Sequence, residues 1–129
     1  MRRNERRNRP ATYSPNGTAR STLGVAELRE GSTVRLYLQG ELDMATRPQV
    51  ERALLRAEDS GAAVIELDLG GLSFMDSSGV HIALEARDRA RLSGHALRLL
   101  EGAATIQRIF ELTGTEQLFE FRKDLRQPL

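Results

Sequence analysis

The residues best equipped for chemistry in this 129-residue chain stand together in the stretch FMDSSG, residues 74 to 79. Asp76, Ser77 and Ser78 supply one carboxylate and two hydroxyls, and Gly79 closes the run. Hydroxyls in such a setting act as a nucleophile, as a helix cap or as a phosphate acceptor. The surroundings argue against a hydrolase. The G-x-S-x-G elbow is missing, because the stretch holds one glycine and it comes two residues after Ser77. His81 lies one helical turn beyond Ser77, but a triad also needs a third group to hold the base and an oxyanion hole, and the sequence supplies neither. LGGLS, residues 69 to 73, lacks the lysine of a phosphate-cradling loop.

Two readings stay open on the residues alone. Asp76, Ser77 or Ser78 is the N-cap of a following helix, since Asp and Ser are preferred there. Alternatively, Ser77 is itself a substrate. A phosphate on it would sit over a helix N-terminus, where free N–H groups and the helix dipole favour negative charge.

Composition narrows the setting. The length suits one domain with a real core and is too short for two. No apolar run approaches the roughly 20 residues needed to cross a bilayer, and no hydrophobic stretch follows the charged N-terminus as in a signal peptide. Cysteine is absent, which excludes disulfides, thiolate catalysis and cysteine metal sites. Two histidines, His81 and His95, are too few to suggest a metal centre. The expectation is a cytoplasmic protein with no metal and no organic cofactor.

Charge is uneven along the chain. Residues 1 to 22 carry six arginines against one acid, Glu5, for a net +5, while the remainder holds 13 basic and 17 acidic residues, a net −4. With few large apolar groups, this segment cannot offset its ordering entropy with a core of its own, and residues 1 to 22 read as a disordered tail. Its charge suits nucleic acid or anionic lipid, but charge alone does not distinguish that from a solvated extension, and no direct nucleic-acid or membrane binding is expected.

The elements that must position the serines begin at Leu23. LGVAELRE and TVRLYLQG both alternate around the turn EGS and read as an opening β-hairpin. Val34, Leu36 and Leu38 point to one side of it, and Arg35, Tyr37 and Gln39 to the other. TRPQVERALLRAED reads as a helix: Thr46 and Gln49 have capping-box spacing, Pro48 falls in the first turn, and Val50, Ala53, Leu54 and Ala57 form one apolar stripe ended by Ser60 and Gly61. AVIELDL alternates as a strand, with Glu66 and Asp68 on a less covered face, and GGLSFM reads as a short connection. SSGVHIALEARDRARLSG is a second helix ended by Gly94. Leu97, Leu99 and Leu100 make a short strand. ATIQRIFELTG is a third helix with Ile106, Ile109 and Phe110 inward and Gly114 as a left-handed cap, and LFEF is a last strand. This order describes a single small α/β domain over residues 23 to 129. It holds a mixed sheet of about four to five strands with right-handed crossovers. Strand ends that hand over to helices are where open α/β sheets bind ligands, and FMDSSG falls at one.

These residues resemble a known family. LDLGGLSFMDSSGV resembles the signature of the STAS domain of bacterial anti-sigma factor antagonists, LQGELDMAT (Leu38 to Thr46) its G-E-L-D segment, and IFELTGTEQLFEF its third-helix ending. The resemblance runs from about Leu23 to Phe121. It implies a non-enzymatic partner switch. The unphosphorylated antagonist binds an anti-sigma factor that is also a serine kinase, and a sigma factor is released. The kinase then phosphorylates the serine after the aspartate, here Ser77, and a phosphoserine phosphatase resets the cycle. The resemblance also implies a partner surface of Asp43, Asp76, Ser77, Ser78 and Gly79, with Asp43 beside the acceptor. A STAS adaptor subunit of a transport or sensing complex, never phosphorylated, is the alternative that it leaves. Three features depart from the family pattern: the arginine-rich tail, His81 where a small residue is usual, and a last helix short or missing after Phe121.

Overall fold

The computed structural model describes residues 22 to 123. The tail expected over residues 1 to 22 therefore lies, apart from Thr22, outside the described residues, as do residues 124 to 129. Five strands form one sheet whose spatial order follows the chain: β1 (Leu23–Glu30), β2 (Thr33–Leu42), β3 (Val64–Met75), β4 (Ala96–Leu100) and β5 (Phe121–Arg122). β1 and β2 are an antiparallel hairpin, and every later pairing is parallel. The three parallel connections run through α1 (Arg47–Asp59), α2 (Ser77–Ser93) and α3 (Ala104–Leu112). Right-handed crossovers that always advance to the next strand leave all three helices on one face. The single mixed α/β sheet expected from the sequence is thus the fold.

The core lies between that face and the helices. Val34, Leu36 and Leu38 of β2, Ile65, Leu67 and Leu69 of β3 and Leu99 of β4 are buried against Val50, Ala53, Leu54 and Ala57 of α1, Val80, Ile82, Ala83 and Ala86 of α2, and Ile106 and Phe110 of α3. Full burial of each large aliphatic or aromatic side chain contributes about 1.5–3 kcal/mol. Phe110 meets the edges of Phe119 and Phe121 with ring centroids 5.6 and 5.1 Å away, so the residues around β5 close the core at its far end. The opposite face carries a row of alternating charge across four chain segments. Arg35 Nε donates to Glu66 at 2.9 Å, Arg98 lies 3.8 Å from Glu66 and 3.3 Å from Glu120, and Arg122 also pairs with Glu120.

Three local readings need correction. GGLSFM is not a connection: β3 continues through it to Met75, and Gly70 and Gly71 pass through register shifts against β2. A bulge interrupts the period-two pattern without ending the strand. LFEF is not a strand of four residues, because Glu116–Leu118 form a 3-10 turn and β5 starts only at Phe121. Last, Thr46 and Gln49 do not make a capping box. Thr46 has helical backbone angles and no side-chain cap bond, and its hydroxyl is occupied in the loop described below.

Candidate functional site

The site forms where β2 and β3 end side by side. Leu42 and Met75 are register partners, and the Asp76 N–H donates to the Leu42 carbonyl at 3.2 Å. Asp43 and Asp76 thus leave adjacent parallel strands together. Gly40, three residues upstream of Asp43, has φ +111° and admits the Thr22 carbonyl where a Cβ would stand 1.9 Å from it. The Glu41 N–H donates to that carbonyl at 3.0 Å, which ties the start of β1 to the end of β2.

The loop from β2 to α1 is held from within. Asp43 Oδ1 accepts from the N–H groups of Ala45 and Thr46 at 2.9 and 3.0 Å. The buried Thr46 hydroxyl donates to the Glu41 carbonyl at 2.9 Å and accepts from the Asp43 N–H at 3.0 Å. Asp43 therefore has one carboxylate oxygen committed to shaping the loop, and the loop presents Met44, 77% exposed, to solvent. Phe74, paired in register with Glu41, is a second exposed apolar side chain at this end of the sheet. Arg47 joins Glu51 at 2.8 Å and Glu85 of α2 at 3.0 Å, bracing the two helices. The hydrogen bond that Arg47 donates to Glu51, with Glu85 adding to it against a smaller desolvation, raises the Arg47 pKa above its ordinary value.

At α2 the competition between Asp76 and the serines has one outcome. Asp76 is the N-cap: its backbone is extended, and Oδ1 accepts from the Ser78 N–H at 2.8 Å. Ser77 is the first helical residue, exposed, with no capping duty. Ser78 is 6% exposed and faces inward. Gly79 lets the first turn close on the sheet end, since a Cβ there would lie 2.4 Å from the Met75 sulfur and 3.1 Å from Leu42. Of the two hydroxyls, only Ser77 is open to a second protein. His81 is exposed on the next turn, and among the described residues no hydrogen bond joins it to Ser77. Among the described residues no group of three or more His, Cys, Asp or Glu side chains is placed to hold a metal ion, and no helix is long and apolar enough to cross a membrane. Thr46, Met44 and Phe74 were not legible as site residues. Thr46 has cap-like spacing, and exposure of two apolar groups is a tertiary property.

A mixed sheet opened by an antiparallel hairpin, helices on one face and an Asp-capped serine at a strand end define the class of domain. The STAS domain family model matches residues 26–127, and the chain belongs to this family. It is similar to the anti-sigma-B factor antagonist of Listeria monocytogenes serovar 1/2a, with 30% identity over 98 residues, 74% of this chain and 86% of the relative. Among solved structures it is similar to the anti-sigma factor antagonist SpoIIAA in its unphosphorylated form, at 26% identity and a TM-score of 0.65 over 79% of this chain and 89% of that one. It is also similar to the phosphorylated form of the Bacillus cell fate determinant SpoIIAA, at 26% identity and a TM-score of 0.60 over 79% and 92%.

Proposed function

We propose that this chain is a cytoplasmic anti-sigma factor antagonist that binds an anti-sigma serine kinase, releases a sigma factor and is switched off by phosphorylation of Ser77. The observation that carries this reading is the division of labour at the start of α2. Asp76 takes the capping bond, Ser78 is buried, and Ser77 is left exposed at a helix N-terminus. The names of the similar proteins, and the existence of one of them in two phosphorylation forms, point the same way.

The chemistry is carried out on this protein, not by it. Ser77 Oγ loses its proton and gains the terminal phosphoryl group of a nucleoside triphosphate held by the kinase, and the diphosphate departs. The group adds about two negative charges. The fold tolerates them, because the helix N-terminus favours an anion. The interface does not. Asp43 and Asp76 already bring carboxylates to this end of the sheet, and Met44 and Phe74 offer apolar contact beside them. Burying a dianion there without a matched partner opposes association. A phosphoserine phosphatase reverses the change.

The test is a titration of phosphorylated and unphosphorylated protein against the candidate kinase with nucleotide present. Phosphorylation is expected to weaken binding at least tenfold, or about 1.4 kcal/mol. Ser77→Ala is expected to bind like the unphosphorylated protein and to stay active. Equal affinity for both forms would sink the switch and leave a STAS adaptor that is never phosphorylated.

A further inference from the structure

Among the described residues β1 is an edge of the sheet and pairs with β2 alone. Its backbone groups alternate in direction. The Thr22 carbonyl accepts from the Glu41 N–H, whereas the Leu23 carbonyl accepts from the Gln49 side chain of α1. The alternation of an antiparallel pair then turns the N–H and C=O groups of Val25, Glu27 and Arg29 toward the open edge. Such a row is a template for one more strand. Beside it, between β1 and α1, lies a groove of about 410 Å³ lined by Leu23, Gly24, Val25, Gln49, Arg52 and Arg56. Arg52 and Arg56 are exposed and stand one turn apart on α1. Among the described residues no acid pairs with either of them. Glu51 and Glu58 of the same helix are committed to Arg47 and Arg89. Glu27, on the helix side of β1, is bonded to neither arginine.

We propose that β1 and α1 together take an extended acidic segment of a partner protein, which adds to the sheet as a further strand and sets two carboxylates on Arg52 and Arg56. Spacing supports this occupant. Residues one helical turn apart have Cβ atoms about 5–6 Å apart, and alternate residues of a strand, which share a face, are about 6.6 Å apart. An acid-x-acid stretch therefore meets both guanidinium groups, each of which holds a carboxylate through paired N–H donors. Other occupants fit less well. Residues 1 to 22 of this chain carry six arginines against one acid, which is the sign of charge the groove already has. A second copy pairing edge to edge would bring two more arginines to the same seam.

The probe is the acetylated and amidated octapeptide Thr-Val-Glu-Val-Glu-Val-Thr-Gly, titrated into the full-length protein and followed by amide NMR. It is expected to bind with a dissociation constant below about 1 mM, with the largest shifts at Val25, Glu27 and Arg29. The same peptide with Lys in place of both Glu is expected to bind at least about tenfold more weakly. Arg52→Glu combined with Arg56→Glu is expected to reverse that preference. Glu27→Pro removes an outward N–H that β2 does not use, so the sheet tolerates it. It is expected to weaken binding of the acidic peptide even though it also removes an opposing carboxylate. No binding, equal binding of the two peptides, or indifference to either variant would overturn the proposal. So would sedimentation of the protein alone as a dimer that Glu27→Pro dissociates, which would assign the edge to a second copy.

Discussion

At the scale of single residues, the site rests on a contest that sequence cannot decide. Asp and Ser are both good helix caps, so DSS marks a helix start without saying which residue caps it. The geometry gives the bond to Asp76. Asp76→Ala is therefore expected to lower stability by about 1 kcal/mol, read as a fall of about 4 °C in the unfolding midpoint. Ser77→Ala is expected to leave the midpoint within about 1 °C. If the two effects were reversed in size, Ser77 would be the cap and its freedom to accept phosphate would be in doubt. Thr46 makes a sharper case. Its buried hydroxyl bridges the Glu41 carbonyl and the Asp43 N–H, so Thr46→Val takes that partner from two part-buried backbone groups. The expected loss is about 2 kcal/mol by denaturant titration, together with weaker kinase binding as the loop bearing Asp43 and Met44 loosens. A loss below about 0.5 kcal/mol would show that the loop does not need the hydroxyl.

At the scale of elements, the charge row on the sheet face opposite α1, α2 and α3 joins β2, β3 and β4 through Glu66, which stands between Arg35 and Arg98. Glu66→Gln leaves two guanidinium groups facing each other. It is expected to cost about 1–3 kcal/mol in dilute buffer and less in 1 M salt, where the Debye length falls to about 3 Å. A loss unaffected by salt would assign the effect to packing. The helices and the alternating strands were legible because their periodicities are strong: every residue of the predicted stripe on α1 is buried, and Gly94 and Gly114 take the positive φ expected of helix ends. What was not legible was long-range. Gly70 and Gly71 look like a turn in one dimension. Their place inside β3 follows from the pairing of Gly71 with Gln39 just past a register shift, which no local pattern encodes. LFEF misled for the opposite reason. Its apolar spacing is satisfied by Phe119 and Phe121 packing on Phe110, and most of the stretch lies outside any strand.

At the scale of the whole molecule, the proposed switch is a change of surface and not of fold. Phosphorylation of Ser77 is expected to leave the unfolding midpoint within a few degrees, because a helix N-terminus gains about 0.3–1 kcal/mol from a nearby anion. A drop of 10 °C or more would mean that the phosphate acts by melting α2, and the interface argument would need replacing. Addition of a chelator is expected to leave the midpoint unchanged, given the donor set. Unfolding under chelation would reveal a metal that the described side chains do not suggest.

The sheet's strand order has a consequence for its manufacture. Because position in the sheet repeats position in the chain, a ribosome delivers each strand at the growing edge, and none has to wedge between two already laid down. Synthesis runs at about 5–20 residues per second, so each helix has time to settle before the next strand arrives. The vulnerable moment comes late, when β4 stands as a raw edge open to other chains. β5 is only Phe121–Arg122, yet the Leu99 and Glu101 N–H groups donate to the Glu120 and Arg122 carbonyls, so this short stretch seals a margin at which nascent copies would otherwise adhere.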